Sequence, residues 1–127
     1  MARIVIVQGH PDPAGLHLGH ALADAYAEGA VGAGHIVDRI DVARLEFPWL
    51  RSKAEFEHGA LPPALAPGQA AIGAADHLVI VYPLWLGTVP ALLKAFLEQV
   101  IRPGFAFDYQ PGKHQPRRRL AGKSARI

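Results

Sequence analysis

The stretch from Leu78 to Phe107 constrains the fold most, because it contains a strand, a loop, a helix and a second loop in order. Leu78 to Tyr82 is a short apolar run rich in β-branched residues, which is typical of a strand buried on both faces of a parallel sheet. Pro83 ends this strand. Thr88 is predicted to cap the following helix, with Pro90 in its first turn. The stretch therefore predicts an α/β fold.

The helix after Pro90 has two distinct faces. Its apolar residues recur at three- and four-residue spacing, and they are Leu92, Leu93, Phe96, Leu97, Val100 and Ile101. The charged residues Lys94, Glu98 and Arg102 fall on one opposite stripe. We expect the helix to end at Arg102-Pro103-Gly104.

The loop between this strand and this helix has an unusual composition. It consists of Pro83, Leu84, Trp85, Leu86 and Gly87, and so carries large apolar side chains where solvent favours polar ones. In open α/β sheets, ligands bind at the carboxyl ends of the strands. The backbone of this loop can face a planar ring, with the indole of Trp85 alongside. The loop therefore suits a flat aromatic heterocycle as its ligand. The alternative is that Trp85 only packs over the sheet edge.

The amino-terminal part of the chain predicts a phosphate site. Arg3–Gln8 is a Val/Ile-rich strand, a loop begins at Gly9, and the periodicity predicts a helix from His17 to Glu28. Free backbone N–H groups and the helix dipole bind phosphate in this geometry. The glycines at 29, 32 and 34 are expected to end the helix; they precede a strand, so they are not a dinucleotide fingerprint.

The middle of the chain predicts further elements. Residues 35–41 indicate a second, more polar strand at the sheet edge, and 47–56 a broken helix. Residues 67–75 indicate a helix that leads into the strand at Leu78, and 120–127 the beginning of another strand.

The segment YPLWLGTVPALLKAFLEQVIRPGFAF resembles the flavin loop, helix and following loop of the NAD(P)H:quinone oxidoreductases, a family with the flavodoxin-like fold. The resemblance implies a bound FAD or FMN, with NAD(P)H as co-substrate and a quinone as acceptor. It also implies a three-layer α/β/α domain over residues 1–127, with a parallel sheet in the order 2-1-3-4-5.

The resemblance also implies which residues bind the cofactor. His10, Gly15, Leu16 and His17 match the loop that holds the flavin phosphate, with Gly15 where Ser is common and His17 where Asn is common. Residues 83–87 match the loop at the isoalloxazine. Gln69 matches a residue near the dinucleotide part of FAD, although a surface helical Gln is an equally good interpretation.

The family pattern also makes the carboxyl-terminal end informative. With only the start of a fourth strand and no fifth, we expect the chain to be truncated. The acid and base residues of the reaction are then expected beyond Ile127, and the sequence assigns no catalytic residue.

Aromatic residues after the long helix predict a shared site. Phe105, Phe107 and Tyr109 lie close together, and the resembling enzymes cover a neighbour's flavin with this loop. We therefore expect a homodimer in which Trp85, Phe107 and Tyr109 line the substrate pocket. The alternative is a loop folded onto its own helix.

Composition limits the other classes of function. Six of the 13 basic residues lie in residues 113–127, which contain no acidic residue, so the high pI comes from one segment. No aromatic residue follows Tyr109, which argues against nucleic-acid binding. The sequence contains no Cys, which favours the cytoplasm and excludes thiolate metal sites. We expect no metal at His17 and His20, and no membrane span.

Two functions are consistent with these observations. The first is a flavin-dependent enzyme that oxidises NAD(P)H and reduces quinones. The alternative is a flavin-binding regulatory subunit, since similar proteins accompany bacterial potassium-efflux systems. A basic nucleic-acid module ranks below both.

Overall fold

The computed structural model describes residues 1–127 and contains a four-stranded parallel sheet. Its strands are β1 (Arg3–Gln8), β2 (Ile36–Asp41), β3 (His77–Val81) and β6 (Ser124–Arg126), in the order β2-β1-β3-β6. Ile6 of β1 lies opposite Arg39 of β2 and Val79 of β3. The predicted parallel pairing of the two apolar strands is confirmed, and so is the edge position of β2.

Helices cover both faces of the sheet. They are α1 (Leu18–Gly32), α2 (Lys53–His58), α3 (Ala66–Ala74) and α4 (Ala91–Val100), with 3₁₀ turns at Val42–Arg44 and Pro63–Leu65. Side chains alternate along a strand, so Ile4 and Ile6 face a cluster with Ala23 of α1. Val5 and Val7 face the opposite cluster, which includes Ile72 of α3 and Phe96 of α4. The expected three-layer α/β/α architecture is confirmed.

The glycines that were expected to end the first helix do not all lie beyond it. Gly29 lies within the helix, and Gly32 is its last residue, with Ala33 as the C-cap. Glycine in a helix interior costs roughly 0.5–1 kcal/mol relative to Ala, and the helix continues past Gly29 with Ala30 packed into the core. Gly34, with φ of +87°, supplies the left-handed conformation that ends the helix.

The ends of α4 also correct two expectations. Thr88 does not cap the helix; its N–H and C=O pair with Trp85, and Pro90 takes the N-cap position. Arg102 is only 6% exposed and does not belong to the charged stripe. Its guanidinium donates to the carbonyl of Gly59 (2.6 Å) and to the backbone carbonyl of Gln99 (2.8 Å). The helix ends before Arg102, so helical periodicity no longer sets the direction of its side chain.

The carboxyl-terminal residues form an antiparallel ribbon that the sequence did not predict. It pairs β4 (Phe107–Asp108) with β5 (Arg117–Arg118) and precedes β6. Lys123 Nζ donates to the carbonyls of Gly73 (2.8 Å) and Ala75 at the end of α3, where cations interact favourably with the helix dipole. None of the helices is both long enough and apolar enough to cross a bilayer.

Candidate functional site

The loops that follow β1 and β3 are held together at the carboxyl edge of the sheet. The Gly9 N–H donates to the carbonyl of Val81 at 2.7 Å. A Cβ on Gly9 would stand 2.6 Å from Cδ2 of Leu93 on α4, so only glycine lets the loop pass this close to the helix. The adjacent strands therefore bring the two predicted binding loops side by side, as expected for a site at this edge.

Gln8, at the end of β1, fixes the course of the first loop. Its side chain is 5% exposed. The Oε1 atom accepts from the His10 N–H at 3.1 Å, and Nε2 donates to the carbonyl of Gly19 in α1 at 3.2 Å. No sequence pattern predicted a role for Gln8. A polar residue that ends an otherwise apolar strand, directly before a loop, is the signal that would have identified it.

Three histidines form a cluster at the amino end of α1. The rings of His10 and His17 are stacked, with centroids 4.0 Å apart and planes at 9°. His20 lies 5.3 Å from His10 and 5.6 Å from His17. The edge of Trp85 meets His10 at 5.8 Å. The structure thus brings His10 and His17, from the predicted phosphate loop, next to Trp85 of the other predicted loop, and adds His20.

Hydrogen bonds define the protonation of this cluster. The Asp12 N–H donates to Nδ1 of His10 at 3.0 Å, which requires Nδ1 to be unprotonated. Burial, and then the charges of His17 and His20, lower the pKa of His10 against the opposing effect of Asp12. The lowered pKa and the bond to Nδ1 both favour the neutral ring with its proton on Nε2.

Asp12 is a second residue of the site that was not predicted from the sequence. Its Oδ2 lies 2.7 Å from Nε2 of His17, and its Oδ1 accepts from the Ala14 N–H at 2.9 Å. The bond from His17, followed by the one from Ala14, lowers the pKa of the Asp12 carboxyl. Asp12 thus orients the His17 ring and shapes the turn that leads to α1.

The amino end of α1 has free donors and no protein group that caps them. Gly15 and Leu16 both have positive φ, at +74° and +68°, which turns the backbone towards the helix. The N–H groups of residues 16–19 donate to no acceptor in the protein. The first turn carries no acidic residue, and the N-cap residue His17 makes no capping bond through its side chain. This end of the helix therefore presents an open anion site.

The loop after β3 forms a tight two-residue turn. The N–H of Trp85 donates to the carbonyl of Thr88 at 3.0 Å, and the N–H of Thr88 to that of Trp85 at 3.1 Å. Leu86 and Gly87, between them, have φ of +50° and +76°, as in a type I′ turn. Leu84, Trp85 and Leu86 are all exposed. A leucine in this conformation is an outlier, because L-residues other than Gly, Asn and Asp rarely adopt it.

The other predicted residues lie elsewhere. Nε2 of Gln69 donates to the carbonyl of Val100 at 3.1 Å, at the opposite end of α4 from Pro90. Phe107 and Tyr109 meet edge to face at 5.5 Å in and beside the ribbon. Phe105 packs against Gly73 of α3, so it belongs to the chain's own core.

Comparisons with known proteins extend this description. A family model described as "Flavodoxin-like fold" matches residues 2–127. The chain is 35% identical over 94 residues to the FMN-dependent NADH:quinone oxidoreductase 2 of Photobacterium profundum, covering 74% of this chain and 47% of that protein. It is 30% identical over 132 residues to the FMN-dependent NADH:quinone oxidoreductase of Nitratidesulfovibrio vulgaris, covering 90% and 62%.

A solved structure gives the same result. The NAD(P)H:quinone oxidoreductase from Methanothermobacter marburgensis superposes with a TM-score of 0.71 at 30% identity, covering 85% of this chain and 57% of that chain. The chain thus spans less than two thirds of each of these three proteins.

Proposed function

The chain belongs to the family with the flavodoxin-like fold, and on that premise we propose that it serves a flavin-dependent oxidation of NAD(P)H with a quinone or a related acceptor. One observation carries this proposal. The open anion site at α1 lies beside the exposed apolar loop 83–87, with His10 against Trp85 where the two meet. A phosphate attached to a flat ring system requires these two surfaces next to each other.

The residues present fit a flavin. The free N–H groups of residues 16–19 suit the phosphate, and no acidic residue in the first turn of α1 opposes it. The N–H groups of Leu84, Leu86 and Gly87 are also free, so the second loop offers donors as well as apolar surface. The relatives from Photobacterium and Nitratidesulfovibrio carry FMN in their names, which favours FMN over FAD here.

The chain's own residues would bind the flavin, orient it and exclude water from it. A bound flavin supplies the two-electron chemistry, accepting hydride from NAD(P)H and returning it to the acceptor. Leu84 and Trp85 would exclude water from the ring. The free N–H groups of Leu86 and Gly87 belong to a turn closed by hydrogen bonds, and such fixed donors would stabilise the negative charge that develops on reduction.

We further propose an acceptor pocket beside the turn after β3 and a homodimer that completes it. A groove of about 480 Å³ beside the turn is lined by Trp85, Leu86, Val89 and Lys94, among others, a size that suits a small ligand. Tyr109 is 59% exposed. In a homodimer, Phe107 and Tyr109 of one subunit would cover the groove of the other. The cysteine-free sequence supports a cytoplasmic location.

The test is to load the protein with FMN or FAD, remove the excess and follow the absorbance of NADH and NADPH with and without menadione. We expect oxidation that requires both the flavin and menadione. Retention of flavin without any menadione-dependent oxidation would refute the enzyme and leave the regulatory flavoprotein. Failure to retain either flavin would refute both.

A further inference from the structure

The groove beside the turn after β3 contains a single charged side chain. Most of its lining is uncharged and comes from the turn and from the start of α4: Trp85, Leu86, Thr88, Val89, Pro90 and Ala91. The remaining residue of the lining is Lys94. Residues three apart on a helix share a face, so Lys94 lies one turn beyond Ala91 along the border of the groove. The groove therefore joins an apolar wall to one cation.

The fold itself makes little use of the charge on Lys94. Its ion pair is with Glu98, one turn further along α4, and at 3.9 Å this is the longest ion pair in the protein. A lysine that precedes its glutamate by four residues is the less favourable order on a helix. Lys94 also lies in the first turn of α4, where the helix dipole disfavours a cation. The ammonium group is thus available to a ligand in the groove.

The apolar wall of the groove suits a flat ring. Trp85 is 49% exposed, and an indole packs well against another aromatic ring, either stacked or edge to face. The backbone of this wall is fixed, because the N–H and C=O groups of Trp85 and Thr88 are bonded to each other. A ring held against Trp85 and Leu86 excludes water from the adjacent surface, and an ion pair at the edge of that ring is stronger than in bulk water.

We propose that the groove takes acceptors that carry an acidic group, a sulfonate or a carboxylate, on an aromatic ring, and that Lys94 selects them. The inference rests on the flavin-dependent function proposed above and names the class of its acceptor. The ring would contact Trp85, and the acidic group would accept a hydrogen bond from Nζ of Lys94. Such a charge-assisted bond is roughly twice as strong as a neutral one. A neutral substituent at the same position of the ring gains nothing from Lys94.

The diphosphate of NAD(P)H is a less suitable partner for Lys94. In that coenzyme a ribose separates each ring from the diphosphate, whereas Lys94 and Trp85 line the same groove. An acidic group attached directly to the ring places its charge closer to the ring that contacts Trp85. The observations therefore favour the acceptor over the coenzyme as the ligand of Lys94.

The experiment measures dissociation constants by equilibrium dialysis of the 127-residue protein with FMN present in excess. The ligands are menadione, the naphthoquinone in which a sulfonate replaces the methyl group of menadione, and NADPH. The protein has no cysteine that would react with a quinone. The test variant is Lys94→Gln, and Lys94→Arg restores the charge. Lys53→Gln is the matched control, because Lys53 is an exposed lysine in the first turn of α2 that pairs with Glu57 four residues later, at 3.6 Å.

We expect Lys94→Gln to bind the sulfonate about fivefold more weakly than the wild type, the upper end of what an exposed ion pair contributes. Lys94→Arg and Lys53→Gln should match the wild type, menadione should show no difference, and the effect should shrink in high salt. Unchanged binding of the sulfonate in Lys94→Gln, or an equal loss for menadione, would overturn the inference. A loss confined to NADPH would overturn it in favour of a coenzyme contact.

The same experiment separates this inference from the proposed function. Dialysis requires no turnover, so a preference for the sulfonate that depends on Lys94 would support the groove even in a protein that does not oxidise NAD(P)H. Oxidation of NAD(P)H with menadione, together with equal binding of the two quinones by the wild type and by Lys94→Gln, would support the proposed function and overturn the role of Lys94.

Discussion

Gly9→Ala tests the close approach between the loop after β1 and helix α4. The new Cβ would stand 2.6 Å from Cδ2 and 3.2 Å from Cγ of Leu93. Leu93 is completely buried in the larger core cluster, so its side chain has no solvent into which it can move. Relief of the contact requires either an unfavourable rotamer of Leu93 or displacement of the loop, and displacement would lengthen the bond from Gly9 to Val81.

The expected cost follows from this geometry. Overpacking a dense core costs about 1–3 kcal/mol, and we expect the free energy of unfolding of Gly9→Ala to fall by that amount. Leu93→Ala alone should cost about 2–5 kcal/mol, because it leaves a cavity. In the double variant the methyl group introduced by Gly9→Ala enters that cavity. Its destabilisation should therefore be smaller than the sum of the single effects by about 1–2 kcal/mol.

Urea unfolding followed by tryptophan fluorescence measures all three variants. Gly29→Ala is the control, since a Cβ there meets nothing within 4 Å inside helix α1. It should raise the free energy of unfolding by about 0.5–1 kcal/mol. Effects of Gly9→Ala and Leu93→Ala that add to within about 0.5 kcal/mol would show that the two side chains do not compete for one space, and would refute the reasoning.

Three further outcomes are expected. Leu86→Asn should raise the free energy of unfolding by about 1 kcal/mol, because Asn tolerates the left-handed conformation, whereas Leu84→Asn, at negative φ, should not; equal effects in urea would contradict this. Trp85→Ala should weaken FMN binding about tenfold, measured by fluorescence titration, while Trp49→Ala, which is 53% exposed, should leave it unchanged. The pKa of His10 is lowered from 6.5 in the folded state. The unfolded chain therefore binds more protons than the folded one below pH 6.5, and the free energy of unfolding should fall as the pH drops towards 5.5. His10→Gln should abolish that decrease.

The sequence predicted the sheet well because the physical signals of its strands are local. Both central strands are short β-branched runs, and burial on both faces leaves no other arrangement for them. The loops beside them followed from the same argument, since adjacent parallel strands end at one edge. Trp85 and His10 could be placed there without any knowledge of their contact.

The cluster at the site was harder to predict because its contacts are tertiary. His10 and His17 stack across a loop whose course depends on Gln8, and no spacing rule relates those three residues. Leu16 and Leu86 have positive φ although they carry bulky side chains, so only the adjacent Gly15 and Gly87 show in the sequence that these turns are left-handed. Local preference fails at these positions, and departures of this kind are expected near functional sites.

The buried guanidinium of Arg102 has a consequence for how the molecule opens. Arg102, just after α4, donates to the carbonyl of Gly59, which lies 43 positions earlier in the chain. Gln99, in α4, donates to the carbonyl of Pro48, which lies 51 positions earlier. The segment between Pro48 and Gly59 contains only one short helix, α2, and no residue of α2 is buried. Amide hydrogens between Pro48 and Gly59 should therefore exchange with deuterium as one cooperative unit. Proteases should cut the segment between Pro48 and Gly59 before the rest of the chain. The rate of cleavage should follow how often the Arg102–Gly59 and Gln99–Pro48 hydrogen bonds break together.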